Sequence, residues 1–412
     1  MTGWNAPSRL ERGFTLVELM VALTGGLFVS VMVFTLAKDS SRFYMRESRV
    51  ADATLAAVSG FERLRTDLAR SSFMASPNIR RDVQNARLCG NPGAGWPQEL
   101  GRLAGVRIQP DTPAANAALA ANGLAPDAIQ IAGNFSGNDV FAMSGVVANG
   151  AGFRVSLQSL IGQLGRLDYE NRPAERQTLL QDAFPAGRAL RIVDEAGMIQ
   201  YGRITNVTTN PGPAVNLALV PALRMRGANP TLCGLHAQAK GYVNVVNFVR
   251  YQVRALTSGA GAAGATPWDT NRTELVREEV NVDGATIAGT EEIVAEYAVD
   301  LSFGLTVAQT IVNGLPTQLL TVPAGNAAIV NWAGDVTTTA GAANQGPHRV
   351  RAIRVRLAVR SREPDRDANI VPGGSVATGL YRFNVAANGP ARFARVRTLQ
   401  ADVALHNQAM AQ

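Results

Sequence analysis

The sequence is poor in the residues that build metal and catalytic sites. Its 412 residues include two cysteines and three histidines. His236, His348 and His406 are too few and too scattered along the chain to indicate a metal site. No G-x-S-x-G motif, His-Glu-x-x-His motif or phosphate-binding loop is present. Adjacent carboxylates such as Glu278 and Glu279 point to opposite faces of a strand, so they do not converge on a substrate. We therefore predict that the chain is not an enzyme and has no metal, cofactor or catalytic residue.

Aromatic residues and lysines are also scarce. Aromatics make up 6% of the chain, against 40 glycines and 20 prolines, so we expect a loop-rich fold. Lys38 and Lys240 are the only lysines, and arginine carries most of the positive charge. The net charge is +7, and from Pro347 onward 11 arginines stand against four acidic residues. The C-terminal region is therefore the basic part, which attracts phosphates, acidic polymers or acidic protein partners.

Three of these arginines share one side of a predicted strand. Residues 352–362 alternate in the manner of a strand, and Arg354, Arg356 and Arg360 stand opposite its apolar side chains. Three interpretations of this face stay open. A solvated sheet face ranks first and a partner-docking face second. Contact with DNA ranks third, because few aromatics lie nearby to stack on bases.

The two cysteines, Cys89 and Cys233, also leave two interpretations open. They fit one disulfide in an oxidising compartment or two unrelated buried thiols. If the chain downstream of its N-terminal segment is exported, the disulfide is favoured.

The longest apolar run lies near the N-terminus. Residues 19–37 form a stretch of 19 residues without a charge, which at 1.5 Å per residue just spans a bilayer core. Arg9 and Arg12 precede the run, followed by Gly13, and no Ala-x-Ala cleavage site follows it. If the chain is cleaved at Gly13, the hydrophobic helix stays with the mature protein. Basic residues before the span predict an N-terminus in the cytoplasm.

Glu18 is an exception within this apolar segment. A carboxylate at bilayer depth is costly and needs a partner. Cleavage after Gly13 would create one nearby, the new α-amino group of Phe14, and the amine of a neighbouring subunit is an equally good partner. The alternative is that Glu18 lies in the headgroup zone, where it costs little.

Residues 12–23, Arg-Gly-Phe-Thr-Leu-Val-Glu-Leu-Met-Val-Ala-Leu, resemble the class III signal of type IV pilins and of type II secretion pseudopilins. The resemblance implies that prepilin peptidase cuts between Gly13 and Phe14 and methylates the Phe14 amine. It also implies that Glu18 neutralises that amine, or a neighbour's, when subunits dock. Gly25 and Gly26 fall in the part of the helix that unwinds in some members of the family.

After Lys38 the pattern stays helical but becomes amphipathic. Apolar residues recur at intervals of three or four and form one stripe, made of Val50, Ala53, Ala57, Phe61, Leu64 and Leu68. We therefore expect the membrane helix to continue without a break, with its second half buried against the residues that follow. Gly60 and Pro77 predict weakening of this helix and then its end.

Most of the remaining chain shows the pattern of strands and loops. The clearest strand is predicted at residues 293–305, preceded by a hairpin partner at 275–282 and a central strand at 242–253. Further strands are predicted at residues 128–132, 189–194, 200–207, 380–385 and 396–405. Exposed loops are predicted at residues 91–98, 114–126, 255–266 and 324–346. One long helix followed by many strands predicts an α+β fold, in which an N-terminal helical spine packs on an antiparallel β-sheet domain with long loops.

The predicted organisation has four parts. Residues 1–13 are a leader peptide and 14–37 the membrane-spanning half of the helix, which also forms the filament core. Residues 38–74 are its amphipathic periplasmic half. Residues 75–412 are a mainly β periplasmic region, with an inserted subregion around 90–240.

The order of the later elements resembles the PilW family of minor pilins, which is related to the J-type minor pseudopilin of type II secretion. The resemblance is carried by residues 275–279, 291–303, 349–361 and 402–407, and residues 75–240 have no match in it. It implies a structural minor pilin that joins a priming complex, starts pilus assembly and stays at or near the pilus tip. The presence of Glu18 argues against the outermost position, which has no forward neighbour's amine. A minor pseudopilin of type II secretion, or a tip adhesin or DNA-uptake pilin, are the alternatives.

The resemblance also implies partners and a location. The partners are other minor pilins, the major pilin, a PilY-type tip adhesin, prepilin peptidase and the inner-membrane assembly platform. Before assembly the protein is expected in the inner membrane as a single-span protein with its globular region in the periplasm. It then moves to the pilus base and tip.

Overall fold

The computed structural model describes residues 15–81, 95–112, 117–137, 139–158, 162–210, 212–226, 234–255, 271–312, 315–337, 345–364, 381–386 and 390–409. The chain divides into two compact units, Met1–Asp52 and Ala53–Gln412. The described part of the first unit is helical apart from Thr15. The second unit holds all of the described strands, and they are antiparallel throughout. The predicted α+β fold with an antiparallel sheet is confirmed.

The helices are α1 Leu16–Ala69, α2 Gln98–Gly101, α3 Ala117–Ala121, α4 Gly162–Tyr169, α5 Pro173–Ala183, α6 Ile329–Ala333 and α7 His406–Ala409. The strands are β1 Val106–Gln109, β2 Ala128–Gly133, β3 Phe141–Ala148, β4 Gly152–Leu157, β5 Ala189–Asp194, β6 Ile199–Thr208, β7 Ala214–Ala218, β8 Gly241–Arg254, β9 Glu274–Val280, β10 Glu292–Ala295, β11 Ala298–Val312, β12 Leu315–Val322, β13 Val350–Arg360, β14 Arg382–Asn384 and β15 Phe393–Ala404.

Helix α1 is 54 residues long, and its last turns belong to the second unit. Four residues of the predicted apolar stripe are confirmed there, because Ala57, Phe61, Leu64 and Leu68 are all buried. The side chains of Val50 and Ala53 lie outside the described part of the chain. The helix continues through Gly60, and weakening of the helix there stays a prediction. A Cβ at position 60 would lie 2.3 Å from the carbonyl oxygen of Val294, so the glycine lets the helix approach β10 closely. The helix ends at Ala69, before Pro77 is reached.

One sheet has five strands in the order β12-β11-β13-β15-β14. Its central strand is β13, where Leu357 pairs with Leu301 on one side and with Leu399 on the other. Strand β8 was predicted to be a central strand, and this is confirmed. It lies between β2 and β9 in a second sheet, whose order is β1-β2-β8-β9-β10.

The first half of β8 takes part in a closed ring of six strands. Around the ring, β8 pairs with β3, followed by β4, β7, β6 and β5, and β5 pairs again with β8. The other strands of the ring are inserted in the chain between β2 and β8, which pair with each other directly. Gly133 at the end of β2 lies opposite Asn247 of β8. Residues 134–246 are therefore an excursion from the β2–β8 hairpin. The domain boundaries given by the sequence, including 90–240, stay a prediction.

Three clusters of buried residues form the core. The largest contains the stripe of α1 together with residues of the β1-β2-β8-β9-β10 sheet and of the five-stranded sheet. A second cluster fills the ring, and Leu164 of α4 and Leu180 of α5 belong to it. The third lies around Leu100, Leu103 and Phe248. The C-terminal part of α1 is thus a central component of the main core.

Most of the predicted strands are confirmed, but one is wrong. The strand expected at residues 293–305 is two strands, β10 and β11, that belong to different sheets. Tyr297 separates them with a left-handed backbone, φ 55°, which a bulky residue rarely adopts. Its backbone N–H donates to the buried Glu274 at 3.0 Å, and the guanidinium groups of Arg272 and Arg360 stack on its ring. These contacts with residues distant in the sequence stabilise the left-handed backbone conformation of Tyr297.

Two of the predicted exposed loops are partly buried, so that expectation is wrong for them. Helix α3 buries Ala118 and Leu119, and helix α6 buries Ile329 and Trp332. Strands β1, β3, β4, β7 and β12 were not predicted. Residues 91–94 and 256–266 of the other two predicted loops lie outside the described residues.

A buried ion pair lies at the base of the helix. The carboxylate of Asp67 accepts a hydrogen bond from Arg277 of β9 at 2.8 Å and from the hydroxyl of Tyr251 of β8 at 2.7 Å. Asp67 and Arg277 are 4% and 7% exposed. Burial opposes the charge on Arg277, but the hydrogen bond to Asp67 raises its pKa. Burial, with Asp67 in contact, also raises the pKa of Tyr251. The cluster fixes the helix against two adjacent strands.

We expect Asp67→Asn to lower the free energy of unfolding by about 3 kcal/mol, because it removes the buried counter-charge of Arg277 at 2.8 Å and leaves it with the half-exposed Glu292 at 3.9 Å. The measurement is urea unfolding of the detergent-solubilised chain, followed by tryptophan fluorescence. Glu62→Gln on the same helix is the control, since Glu62 pairs with Arg65 at the surface, and a change below about 1 kcal/mol is expected there. Equal effects in the two variants would contradict the role given to Asp67.

Candidate functional site

The first turn of α1 is closed by a capping box. The backbone N–H and the hydroxyl of Thr15 donate to one carboxylate oxygen of Glu18, Oε2, at 3.0 and 2.9 Å. In return, the backbone N–H of Glu18 donates to the hydroxyl of Thr15 at 3.2 Å. This reciprocal pattern satisfies backbone donors that a helix N-terminus otherwise leaves unpaired. Glu18 therefore has a structural role in its own helix, which the Thr-x-x-Glu spacing could have indicated from the sequence.

The helix that follows is apolar on all sides from Leu19 to Ala37. Of the described residues, Leu16–Tyr44 form the one helix that is long and apolar enough to cross a membrane. Its 29 residues correspond to about 43 Å, longer than a bilayer core of about 30 Å. Its large side chains are exposed all around, for example Leu23, Phe28 and Phe34. A helix with no polar face is suited to lipid or to packing against other helices.

The three hydroxyl side chains within residues 19–37 are satisfied by the backbone of the helix. The hydroxyl of Thr24 donates to the carbonyl of Met20 at 3.0 Å, that of Ser30 to Gly26 at 2.8 Å, and that of Thr35 to Met32 at 2.9 Å. Because lipid offers no hydrogen-bond partners, internal pairing of this kind is what a membrane segment requires. The helix runs without interruption through Gly25 and Gly26.

Four of the predicted site residues lie outside the described residues. Gly13 and Phe14 precede the first described residue, Thr15. Cys89 and Cys233 fall in the gaps at 82–94 and 227–233. The cleavage site, the methylated amine and the disulfide therefore stay predictions.

Two of the three arginines of the predicted docking face do lie together, but each is paired within the chain. Arg354 forms a two-point ion pair with Asp402 of β15, with distances of 2.8 and 3.1 Å, and both side chains are more than half exposed. Arg356 is mostly buried and contacts Asp300 of β11 at 3.4 Å. With Gln400, the two arginines line a cavity of about 250 Å³. Their charge is largely balanced by these carboxylates.

Arg360 does not belong to this face, which corrects the prediction. Its side chain is 0% exposed and lies between the rings of Tyr297 and Phe383, at 4.8 and 5.7 Å from their centres. Its guanidinium donates to the carbonyl oxygens of Ser361 and Arg362 at 3.0 and 2.9 Å. Arg360 keeps the strand parity of Arg354 and Arg356, because β13 pairs with β15 without a register shift. Its burial comes instead from Tyr297 and Phe383, which cover the side chain at the end of the strand where β11 shifts register.

Comparison with known proteins gives one local match. The family described as Prokaryotic N-terminal methylation motif matches residues 8–24. No curated protein and no solved structure is significantly similar to the chain. The motif and the apolar helix support a pilin-like protein of a type IV pilus or pseudopilus, anchored in a membrane. Such proteins assemble with other pilins and are processed by prepilin peptidase.

We expect Arg356→Gln to lower the free energy of unfolding by about 2 kcal/mol at pH 7, because it leaves a buried carboxylate unpaired. Burial raises the pKa of Asp300, and Arg356 opposes that shift. Without Arg356 the folded-state pKa rises further above the unfolded value, so the loss of stability is present at high pH and shrinks as the pH falls towards 4. The measurement is urea unfolding at a series of pH values.

Arg354→Gln is the matched control for this prediction. Its ion pair with Asp402 is exposed, so we expect a change of less than about 1 kcal/mol at every pH. A loss in Arg356→Gln that did not depend on pH would show that the pairing with Asp300 is not its cause.

Proposed function

We propose that the chain is a structural minor pilin of the PilW type, which joins other minor pilins in a complex that starts assembly of a type IV pilus. The observation that carries this proposal is the methylation motif at residues 8–24, which runs directly into the membrane-length helix Leu16–Tyr44. The β-rich unit that follows gives such a subunit a large surface for selective contacts. On this proposal the protein stays at or near the tip, behind at least one other subunit.

The proposed life cycle begins in the inner membrane. The precursor spans it once, with the N-terminus in the cytoplasm and the β-rich unit in the periplasm. Prepilin peptidase removes residues 1–13 and methylates the amine of Phe14. The processed helix then leaves the lipid and packs among the helices of other subunits on the assembly platform, next to the major pilin and a PilY-type adhesin.

We propose that the charge of Glu18 aligns the helix when it packs among the helices of other subunits. Both hydrogen bonds from Thr15 reach Oε2 of Glu18. The other carboxylate oxygen of Glu18, Oε1, can therefore accept a hydrogen bond from a further donor. We assign that position to the α-amine of Phe14 of a neighbouring subunit. Pairing would neutralise two charges in an apolar setting, where each alone is costly. The capping box and the intermolecular ion pair can therefore coexist.

A minor pseudopilin of a type II secretion system is the second candidate, because the motif at residues 8–24 fits both machines. Binding of DNA is less well supported. Arg354 and Arg356 are paired with Asp402 and Asp300, and Arg360 is buried, so this face offers little unpaired positive charge.

The proposed function is tested by deleting the gene and counting surface pili while measuring secretion of exoproteins. We expect the pili to be lost or strongly reduced, secretion to be unchanged, and the wild-type gene to restore the pili. Complementation with Gly13→Leu should yield a precursor that keeps residues 1–13 and does not restore pili, because the peptidase requires a small residue at the cut. Loss of secretion with normal pili would instead identify the pseudopilin.

The role of Glu18 is tested by two variants that separate charge from capping. Glu18→Gln keeps an oxygen that can cap Thr15 but removes the charge, and Thr15→Ala removes the hydroxyl but keeps the carboxylate. We expect both proteins to be processed, Glu18→Gln to restore few pili and Thr15→Ala to restore many. The reverse order would mean that Glu18 acts through the cap alone.

A further inference from the structure

An unusual group of arginines lies where the chain enters β13. The short 3-10 helix Pro347–Arg349 leads into this strand and packs beside the turn at residues 78–81. The side-chain amide of Asn78 lies 3.3 Å from Nδ1 of His348, which is buried. Gly346 permits this approach, since its φ is 134° and a Cβ there would lie 3.1 Å from both Asn78 and His348. Arg349 and Arg351 follow directly.

These two arginines have buried donors without acceptors. Nε and Nη1 of Arg349 and Nη2 of Arg351 are inaccessible and have no hydrogen-bond partner in the part of the chain that the structure describes. Arg351 uses its other terminal nitrogen to donate to the carbonyl oxygen of His348 at 2.9 Å. Burying a charged donor without an acceptor costs free energy, so such groups are normally paired.

Among the other arginines with such a nitrogen, Arg107, Arg188 and Arg254 each form an ion pair with a glutamate, so their charge is balanced. Arg191 has one such nitrogen, and its guanidinium group lies over the ring of Tyr242. No ion pair with a carboxylate is found for Arg349 or Arg351 among the described residues. The distinguishing feature is therefore the combination of three such donors on two arginines only two residues apart, with no described counter-charge for either.

The surroundings of these arginines are positive. Burial lowers the pKa of Arg349, and repulsion by Arg81 lowers it further. Burial and repulsion by Arg349 do the same for the pKa of Arg351. Burial and the three arginines lower the pKa of His348 to about 4, so that it is neutral at pH 7. Like charges held together in a half-buried position favour the binding of an anion.

We propose that Arg349 and Arg351 form a binding site for an oxyanion, a phosphate or a carboxylate group. The planar guanidinium group presents donors in a fork that matches two oxygens of such a group, which a chloride ion cannot engage in the same way. An oxyanion bound at these guanidinium groups would provide a counter-charge for both arginines. This site is separate from the N-terminal segment and does not depend on the proposed function.

The test is titration of the full chain in neutral detergent, with phosphate and acetate compared with chloride at constant ionic strength. Isothermal calorimetry measures affinity, and the thermal midpoint provides a second readout. We expect saturable binding of at least one oxyanion, with a rise in the thermal midpoint that chloride does not produce. Tighter binding of phosphate would identify a phosphate group as the ligand, and tighter binding of acetate a carboxylate.

Variants locate the site. Arg349→Gln should weaken binding by at least about tenfold, the effect of losing roughly 1.4 kcal/mol of interaction. Arg349→Lys should weaken it by less, because it keeps the charge but loses the fork. Arg354→Gln removes one positive charge from the same strand and should change the affinity by less than about twofold.

The thermal stability of the variants is the folding control for the binding measurements. Because the two arginines repel each other, Arg349→Gln without added anion should have a thermal midpoint equal to or above that of the wild type. Weak binding in this variant then cannot be ascribed to unfolding. The proposal is overturned if chloride gives the same response as both oxyanions, or if Arg349→Gln and the double variant Arg349→Gln, Arg351→Gln bind with wild-type affinity.

Discussion

Burial of one face of α1 in the β-rich unit is the constraint on which the second unit depends. Leu64 and Leu68 lie in the main core, and Gly60 lets the helix approach β10 to backbone distance. Apolar contacts alone allow a helix to slide or rotate by small steps, whereas a buried charge has one acceptable position. Asp67 supplies that position, because Arg277 and Tyr251 come from two neighbouring strands and meet at its carboxylate. The ion pair therefore specifies where the helix lies as well as holding it there.

Strand β8 connects the remaining parts of the unit. Its second half is paired on both sides by β2 and β9, and its first half by β3 and β5. Residues 243–249 in the middle of the strand are buried on both faces, whereas residues 250–254 alternate between partly exposed and buried side chains. The closed ring leaves no free edge along its paired segments, so a large excursion from the β2–β8 hairpin is accommodated without an exposed ladder there.

The two units divide the chemistry of the chain. Residues 16–37 carry little besides apolar surface, and the carboxylate of Glu18 is held by Thr15 at the helix start. The β-rich unit pairs most of its described charges internally, as at Glu278 with Arg250 and Arg254. Surfaces with balanced charge contribute little non-specific attraction. Arg349 and Arg351 depart from this pattern, and this is why they stand out as a site for an anion.

The sequence by itself determined the features that depend on neighbours along the chain. The apolar span, the methylation motif, the stripe at Ala57, Phe61, Leu64 and Leu68, and the central strand β8 all follow from periodicity or from short spacing. The Thr15–Glu18 cap was also available as a spacing of three residues, although it was not predicted. The fold class followed in turn, because one long helix and many alternating segments leave few arrangements.

Only the tertiary structure decided the features set by partners far away in the chain. Asp67 can be buried because it pairs with Arg277, which lies 210 residues further along the chain. The strand pattern is interrupted at Tyr297, where Glu274 accepts a hydrogen bond from the backbone N–H of Tyr297. Arg360 shares the strand parity of Arg356 but is buried by Tyr297 and Phe383, and the ring of six strands depends on pairings that no local pattern records. A charged residue at one position in a strand or helix has the same local signal whether it is solvated or buried. The choice depends on whether a distant group compensates the cost of removing it from water.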